Sequence, residues 1–436
     1  MSLVNEGTNL DPWSDHYADR TSGLSGSEVR ALFAVASRPE VVSLAGGMPF
    51  VSALDLPLLS ESMQRVMRDE GARALQYGSG QGTPELRQHI LDIMAIEGIR
   101  AGVDEIVVTT GSQQALDLVA KLFLNPGDVV LTESPSYVGA LGIFRSYQAE
   151  VAHIAMDAEG MIPAALTERI HSLRTAGKSI KLLYLIPTFN NPAGTTLSSE
   201  RRLTLIDVAR SEGILILEDN PYGLLWFDRP PPAAMRSVES EGIIYLGSFS
   251  KTLAPGFRVG WALAPHAIRE KLVLAAEAAI LSPSSLNQMV ISDYLQRADW
   301  RGQIDVFRGI YRDRRDAMVD ALQHHLPELH WTAPNGGFYL WVSLTEGLDS
   351  KSMLPRAVKE LVAYTPGTAF YADGSGRSHL RLAFCYPPPA EIREGIRRLA
   401  TVVRGEQELL STFSPPERVA SHRYAPHVAS PPPNIS

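Results

Sequence analysis

Between residues 105 and 264, apolar runs of four or five residues recur at 106–109, 129–132, 182–186, 214–217, 243–246 and 259–263. Runs this short and this continuously apolar suit strands buried on both faces. Helical periodicity fills 113–124 and 199–212, closed by Asn125-Pro126-Gly127 and by Gly213. Strands alternating with helices predict an α/β fold, with a large domain built on a mainly parallel sheet flanked by helices. Beyond Ala264 the pattern turns more charged and more helical. A long amphipathic helix is expected over 308–326, strands over 337–342 and 380–384, and a last helix over 387–403. Together these predict a smaller α+β domain.

The ends read differently. Ser27 caps a short predicted helix with Val29, Leu32, Phe33 and Ala36 as its apolar stripe, ended by Pro39. The stretch 41–47 reads as a short strand running into a glycine turn. Residues 411–436 carry six prolines in 26 positions and little periodicity, the pattern of a mobile tail. The expected division is an arm and helix over 1–40, a large domain over 41–300, a small domain over 301–405 and a tail over 406–436.

Composition narrows the class. The 436 residues are 45% apolar and 20% charged, a globular mix long enough for two to three domains. The net charge of −8 argues against a nucleic-acid partner, which needs a basic face. Cys385 is the one cysteine, so no intrachain disulfide and no cysteine metal cluster can form, and it reads as an inert core thiol. The histidines show no metal-ligand spacing, and no metal is expected. Neither a secretory h-region nor a run of ~18 apolar residues appears, so no membrane partner is expected and the cytoplasm is the expected location.

The chemistry concentrates after predicted strands. In Gly247-Ser248-Phe249-Ser250-Lys251-Thr252, hydroxyls precede a lysine, and Arg258 follows seven residues on. Small hydroxyl residues and an arginine suit a phosphate, leaving Lys251 as an amine nucleophile toward an aldehyde. Asp219 and Tyr222 follow the run at 214–217, and a buried carboxylate there needs a cationic partner such as a protonated pyridine. Asn191 follows the run at 182–186. Thr110-Gly111-Ser112-Gln113-Gln114 stands where a strand turns into a helix, whose N-terminus favours an anion. Each stretch alone is an ordinary turn or cap. All four sit at the edge where open α/β sheets bind ligands.

These motifs, with Ser43-Leu44-Ala45-Gly46-Gly47-Met48-Pro49 and Tyr77-Gly78-Ser79-Gly80-Gln81-Gly82, resemble fold-type-I pyridoxal 5′-phosphate (PLP) aminotransferases of the class I/II superfamily. The similarity spans roughly residues 43–403 and is greatest to the 2-aminoadipate/kynurenine branch. The resemblance implies that Lys251 carries PLP as a Schiff base and moves the proton between substrate Cα and the cofactor. It implies Asp219 on the pyridine nitrogen, Asn191 and Tyr222 on the ring hydroxyl, and Tyr137 on the ring face. It implies Gly111, Ser112, Gln113, Ser248, Ser250 and Arg258 around the phosphate. Arg381 matches the arginine that grips the substrate α-carboxylate, with Asn191 beside it. Gly47 matches a glycine that lets backbone approach the substrate. Tyr77 matches a tyrosine that reaches the neighbouring subunit's cofactor, which requires a homodimer. Phe338 and Tyr339 are pocket candidates expected to point to opposite faces.

The implied reaction moves the amino group of an amino acid to a 2-oxo acid by a ping-pong route. In this branch an N-terminal arginine can meet the substrate side chain. Here Gly23 or Leu24 falls near that place and Arg20 is the nearest basic residue, so an aromatic or aliphatic donor stands beside a 2-aminoadipate-like one. Two other readings share the scaffold. A PLP-dependent C–S lyase diverges only after Cα deprotonation, and an aminotransferase-like regulator would need a DNA-binding domain for which the first forty residues hold no basic recognition helix.

Overall fold

The structure is a computed structural model and describes residues 11–23 and 38–413. The helix expected at Ser27 and the proline-rich residues 414–436 lie outside the described residues. In chain order the strands are β1 (Val42–Ser43), β2 (Ile106–Thr109), β3 (Val129–Ser134), β4 (Glu150–Asp157) and β5 (Gly160–Met161). Then follow β6 (Ile180–Leu185), β7 (Leu215–Asp219), β8 (Ile243–Ser248), β9 (Gly260–Leu263) and β10 (His330–Trp331). The last are β11 (Tyr339–Ser343), β12 (Val362–Ala363), β13 (Thr365–Pro366) and β14 (His379–Ala383).

Eight of them form one sheet in the order β2-β9-β8-β7-β6-β3-β4-β5. Its central pairs, from β8 through β7, β6 and β3 to β4, are parallel. The apolar runs resolve into two faces by period two. Leu182, Tyr184 and Ile186 join Leu217 and Leu246 in one core, with the helices Ser112–Phe123 and Val138–Ser146. Leu183, Leu185 and Ile216 join the other core, with the helices Pro163–Thr175 and Ser199–Ser211. A strand buried on both sides therefore reads as unbroken hydrophobicity although its side chains alternate.

One strand departs from the expected pattern. β9 runs antiparallel to both β2 and β8. The reversal has a consequence for the site: it brings the start of β9, not its end, to the edge where β2, β7 and β8 finish. Ser248 at the end of β8 and Thr109 at the end of β2 both sit opposite Gly260.

A second sheet has the order β10-β11-β14-β13 and is antiparallel throughout. The helices Trp300–His325 and Pro389–Phe413 pack together beside it. The last helix, expected over 387–403, continues through Phe413, so residues 406–413 are helical rather than tail. The amphipathic helix expected at 308 begins eight residues earlier, where Asp299 accepts a hydrogen bond from Gly302 N (3.0 Å) as its cap. The stretch 42–47 lies along this second sheet: β1 pairs with β12, Leu44 O accepts from Ala383 N (2.7 Å) and Ala45 O from Thr365 Oγ1 (3.0 Å).

Below the sheet edge lies a buried polar cluster. Arg202 donates to Leu197 O, Ala233 O, Pro187 O and Thr188 Oγ1 at 2.7–3.1 Å, clamping the loop that carries Asn191. Its charge faces the buried carboxyls of Glu218, Glu97 and Glu133. Removing a buried cation from acidic neighbours leaves their charge uncompensated. Arg202→Met is expected to cost about 3–5 kcal/mol of stability, read from urea unfolding by circular dichroism. A loss below about 1 kcal/mol would mean that the neighbouring acids are already neutral.

Candidate active site

The site assembles where strand ends meet. At the end of β2, Gly111 takes φ +78°, a left-handed conformation open to glycine, and turns the chain into the helix Ser112–Phe123. No side chain caps that helix, so its first N–H groups at Ser112 and Gln113 stay available to an anion. Arg258 also adopts a left-handed backbone, φ +51°, rare for a residue with a Cβ. That turn sends its guanidinium over Gly111, where a Cβ would stand 2.5 Å from Nη2. Arg258 donates to Thr110 O (3.3 Å). Ser248 Oγ accepts from Ser250 N (3.0 Å) and contacts Ser250 Oγ (2.8 Å). Hydroxyls, helix N–H groups and guanidinium thus converge on a space suited to a phosphate.

Gly260 was not singled out by its sequence context. A Cβ there would lie 2.5 Å from Ser112 N and 2.6 Å from the carbonyl carbon of Gly111. Only a glycine lets β9 pass this close under the helix start.

Asp219 ends β7 and is 3% exposed. Tyr184 donates to its Oδ2 at 2.9 Å, and its Oδ1 is buried with no hydrogen-bond partner among the described residues. Burial pushes its pKa up to about 7, against the smaller lowering effect of the Tyr184 hydrogen bond. An orphaned carboxylate oxygen is the feature that a protonated pyridine nitrogen satisfies. Tyr184 escaped the sequence reading because it lies inside an apolar run; a polar-tipped aromatic in such a run is the available signal.

Lys251 is half-buried and donates from Nζ to Gly47 O at 2.8 Å, with Nζ 5.5 Å from the centre of the Phe338 ring. Gly47 is packed under Tyr339, whose Oη would sit 1.8 Å from a Cβ, so no larger residue fits. Tyr222 is buried and its hydroxyl is 3.4 Å from that of Tyr339. Phe338 and Tyr339 were expected on opposite faces, yet both rings pack against Tyr222, with centroids at 5.4 and 5.9 Å. Phe338 precedes β11, so strand alternation does not govern it.

Arg381, on β14, is 3% exposed. It donates from Nη1 to Asn191 Oδ1 (2.9 Å) and from Nη2 to Ala45 O (2.6 Å) and Thr365 Oγ1 (3.3 Å). Its guanidinium carbon lies 4.1 Å from the Tyr339 ring centre and 4.8 Å from that of Phe370. Among the described residues all its hydrogen-bond partners are neutral and its Nε has none. A buried guanidinium so placed is set to receive a carboxylate. Tyr137 donates to Gln113 Oε1 (3.2 Å), and Gln113 Nε2 donates to Gly139 O (3.4 Å). Burial, then the charge of Asp219, raises the Tyr137 phenol well above its usual range.

Two residues stand apart. Tyr77 is 78% exposed and touches none of these groups in its own chain. Arg20 lies exposed on the 3₁₀ turn Asp19–Gly23, which packs on the helix Val138–Ser146, and its charge acts on Tyr147 at that helix's end. Cys385 is fully buried, donates to Gly46 O (3.6 Å), and is pushed up to about 11 by burial.

Residues 40–399 match the family Aminotransferase class I and II. The chain is 39% identical over 407 residues to the aromatic-amino-acid aminotransferase 1 of Thermococcus litoralis, covering 92% of this chain and 97% of that one. It is 35% identical over 398 residues to the 2-aminoadipate transaminase of Thermus thermophilus, covering 90% and 98%. The structure of Pyrococcus horikoshii kynurenine aminotransferase in complex with PMP superposes with a TM-score of 0.87 at 37% identity, covering 92% of this chain and 99% of that one. The chain belongs to the class I and II aminotransferases. It is a fold-type-I, PLP-dependent aminotransferase, acting on an amino acid and a 2-oxo acid.

The raised pKa of Asp219 has a measurable signature. A carboxyl whose folded pKa exceeds its unfolded value favours folding at low pH and loses that contribution as pH rises through the folded value. In cofactor-free protein, wild-type stability relative to Asp219→Asn is expected to fall by about 2–3 kcal/mol between pH 5 and pH 8. Parallel urea-unfolding profiles for the two proteins would show that Asp219 ionises normally.

Proposed function

We propose that this protein transfers the amino group of an aromatic or aliphatic L-amino acid to a 2-oxo acid by a ping-pong route, each substrate held by Arg381 through its carboxylate. The observation that carries this reading is the Arg381 guanidinium, buried among neutral partners and joined to Asn191. In the same reading the residues present fit PLP. Ser112, Gln113, Ser248, Ser250 and Arg258 would hold its phosphate, Asp219 its ring nitrogen, Asn191 and Tyr222 its ring hydroxyl, and Tyr137 its face. Bound PLP supplies an electron sink for the substrate Cα. Lys251 Nζ then takes the Cα proton and redelivers it, and its contact with Gly47 O keeps the amine beside the backbone that leads to Arg381.

Two further points support the donor class and the assembly. Arg20 lies by Tyr147, at the end of the helix Val138–Ser146 away from Tyr137, a placement that favours an uncharged donor side chain over an acidic one. The exposed apolar residues Leu75, Tyr77, Leu274 and Leu281, 59–78% exposed, favour a homodimer in which Tyr77 reaches the partner's phosphate site. We place the protein in the cytoplasm; among the described residues no helix is long and apolar enough to cross a membrane.

The test is spectroscopic. PLP-loaded protein is expected to show a visible absorbance band that aromatic and aliphatic amino acids bleach and that aspartate and 2-aminoadipate bleach poorly. Lys251→Ala is expected to lack the band. Arg381→Met is expected to keep the band while raising KM for the donor at least about a hundredfold. An unchanged KM would place the carboxylate elsewhere, and efficient bleaching by acidic donors alone would overturn the donor class. Sedimentation equilibrium is expected to give twice the chain mass; a fully active monomer would exclude a shared site.

A further inference from the structure

We propose that Tyr184 is a positioning residue, holding one oxygen of the Asp219 carboxylate so that the other is presented to the cofactor's ring nitrogen. The proposal rests on the PLP assignment and deepens it. Tyr184 on β6 pairs with Leu217 on β7, and period two puts Leu217 and Asp219 on the same face. Tyr184 and Asp219 are therefore diagonal neighbours, ~7–8 Å apart along the strands, a span that a long aromatic side chain bridges. The phenol does so, donating to Asp219 Oδ2 at 2.9 Å, and Oδ1 remains buried and without a partner among the described residues.

Packing alone does not explain a hydroxyl here. Tyr184 is fully buried, flanked in sequence by Leu182, Leu183, Leu185 and Ile186, and its ring packs edge-on to Phe144 with centroids 5.6 Å apart. Phenylalanine would fill the same space without a polar atom to satisfy. Burial and the neighbouring Asp219 hold the phenol well above its usual pKa, so it stays a neutral donor. A neutral donor on one carboxylate oxygen stabilises the ionised form and restricts its rotation. Both effects favour a carboxylate paired with a protonated ring over a neutral acid beside an unprotonated one.

The experiment titrates cofactor-free protein with PLP from pH 5 to pH 9, following absorbance and tryptophan fluorescence, in wild type, Tyr184→Phe, Asp219→Asn and the double variant. Tyr184→Phe is expected to bind PLP about ten- to a hundredfold more weakly near neutral pH. The acid limb of binding is expected to move up by about one pH unit. In the Asp219→Asn background the same substitution is expected to change binding less than about threefold, because Tyr184 acts through Asp219. Equal losses in both backgrounds, or an unmoved acid limb, would reduce Tyr184 to a packing residue and overturn the proposal. A wild-type protein that takes up no PLP would overturn the cofactor assignment itself, a failure visible before any variant is compared.

Discussion

Two buried charges of opposite sign organise this molecule, and neither has a countercharge among its hydrogen-bonding partners. The Asp219 carboxylate meets only the hydroxyl of Tyr184, and the Arg381 guanidinium meets an amide oxygen, a carbonyl and a hydroxyl. Burying a charge without its opposite is costly unless a ligand supplies it. A cofactor with a cationic ring and a substrate with a carboxylate supply one each. Lys251 lies between these demands, its amine on Gly47 O, two residues along the chain from the Ala45 carbonyl that Arg381 grips. The spacing of Lys251 and Arg381 is thereby set by one short stretch of backbone.

That stretch is held by the smaller sheet, and it meets the larger sheet's loops where Gly47 O accepts from Lys251 Nζ. Leu44 and Ala45 bond to β14 and to Thr365, and Gly47 lies beneath Tyr339. Movement of the smaller sheet relative to the larger one would carry Arg381 with it and alter its distance from Lys251. The larger sheet is pinned from below by Arg202 and its acidic neighbours, which fix the loop bearing Asn191. Carboxylate recognition therefore depends on both sheets, whereas the groups suited to a cofactor, apart from the Gly47–Tyr339 contact, belong to the larger sheet and its loops.

The phosphate-suited corner is a matter of chain direction and close approach. Because β9 is antiparallel, a loop of eleven residues after Ser248 delivers both Lys251 and Arg258 to one edge before the chain turns back at Gly260. Gly111 and Gly260 are small for different reasons: the first needs a positive φ, the second a backbone contact that admits no side chain.

The amino-acid sequence determined the alternating apolar runs, the strand–helix order and the residue types after each strand. Those follow from local periodicity and turn chemistry, which placed Lys251, Asp219, Asn191 and Ser112 at one sheet edge as candidates, while their roles came from the family resemblance. Tertiary structure decided what depends on partners remote in sequence. Tyr184 was hidden because a strand buried on both faces looks uniformly apolar until its neighbour fixes which face each residue takes. Gly260 was hidden because its constraint comes from Gly111 and Ser112, about 150 residues earlier. Arg381 stood out by family resemblance and not by its local pattern, and the fold supplied its setting against Tyr339 and Phe370 beside Asn191. Local sequence sets which backbone each segment prefers, whereas burial and charge compensation are properties of the assembled neighbourhood.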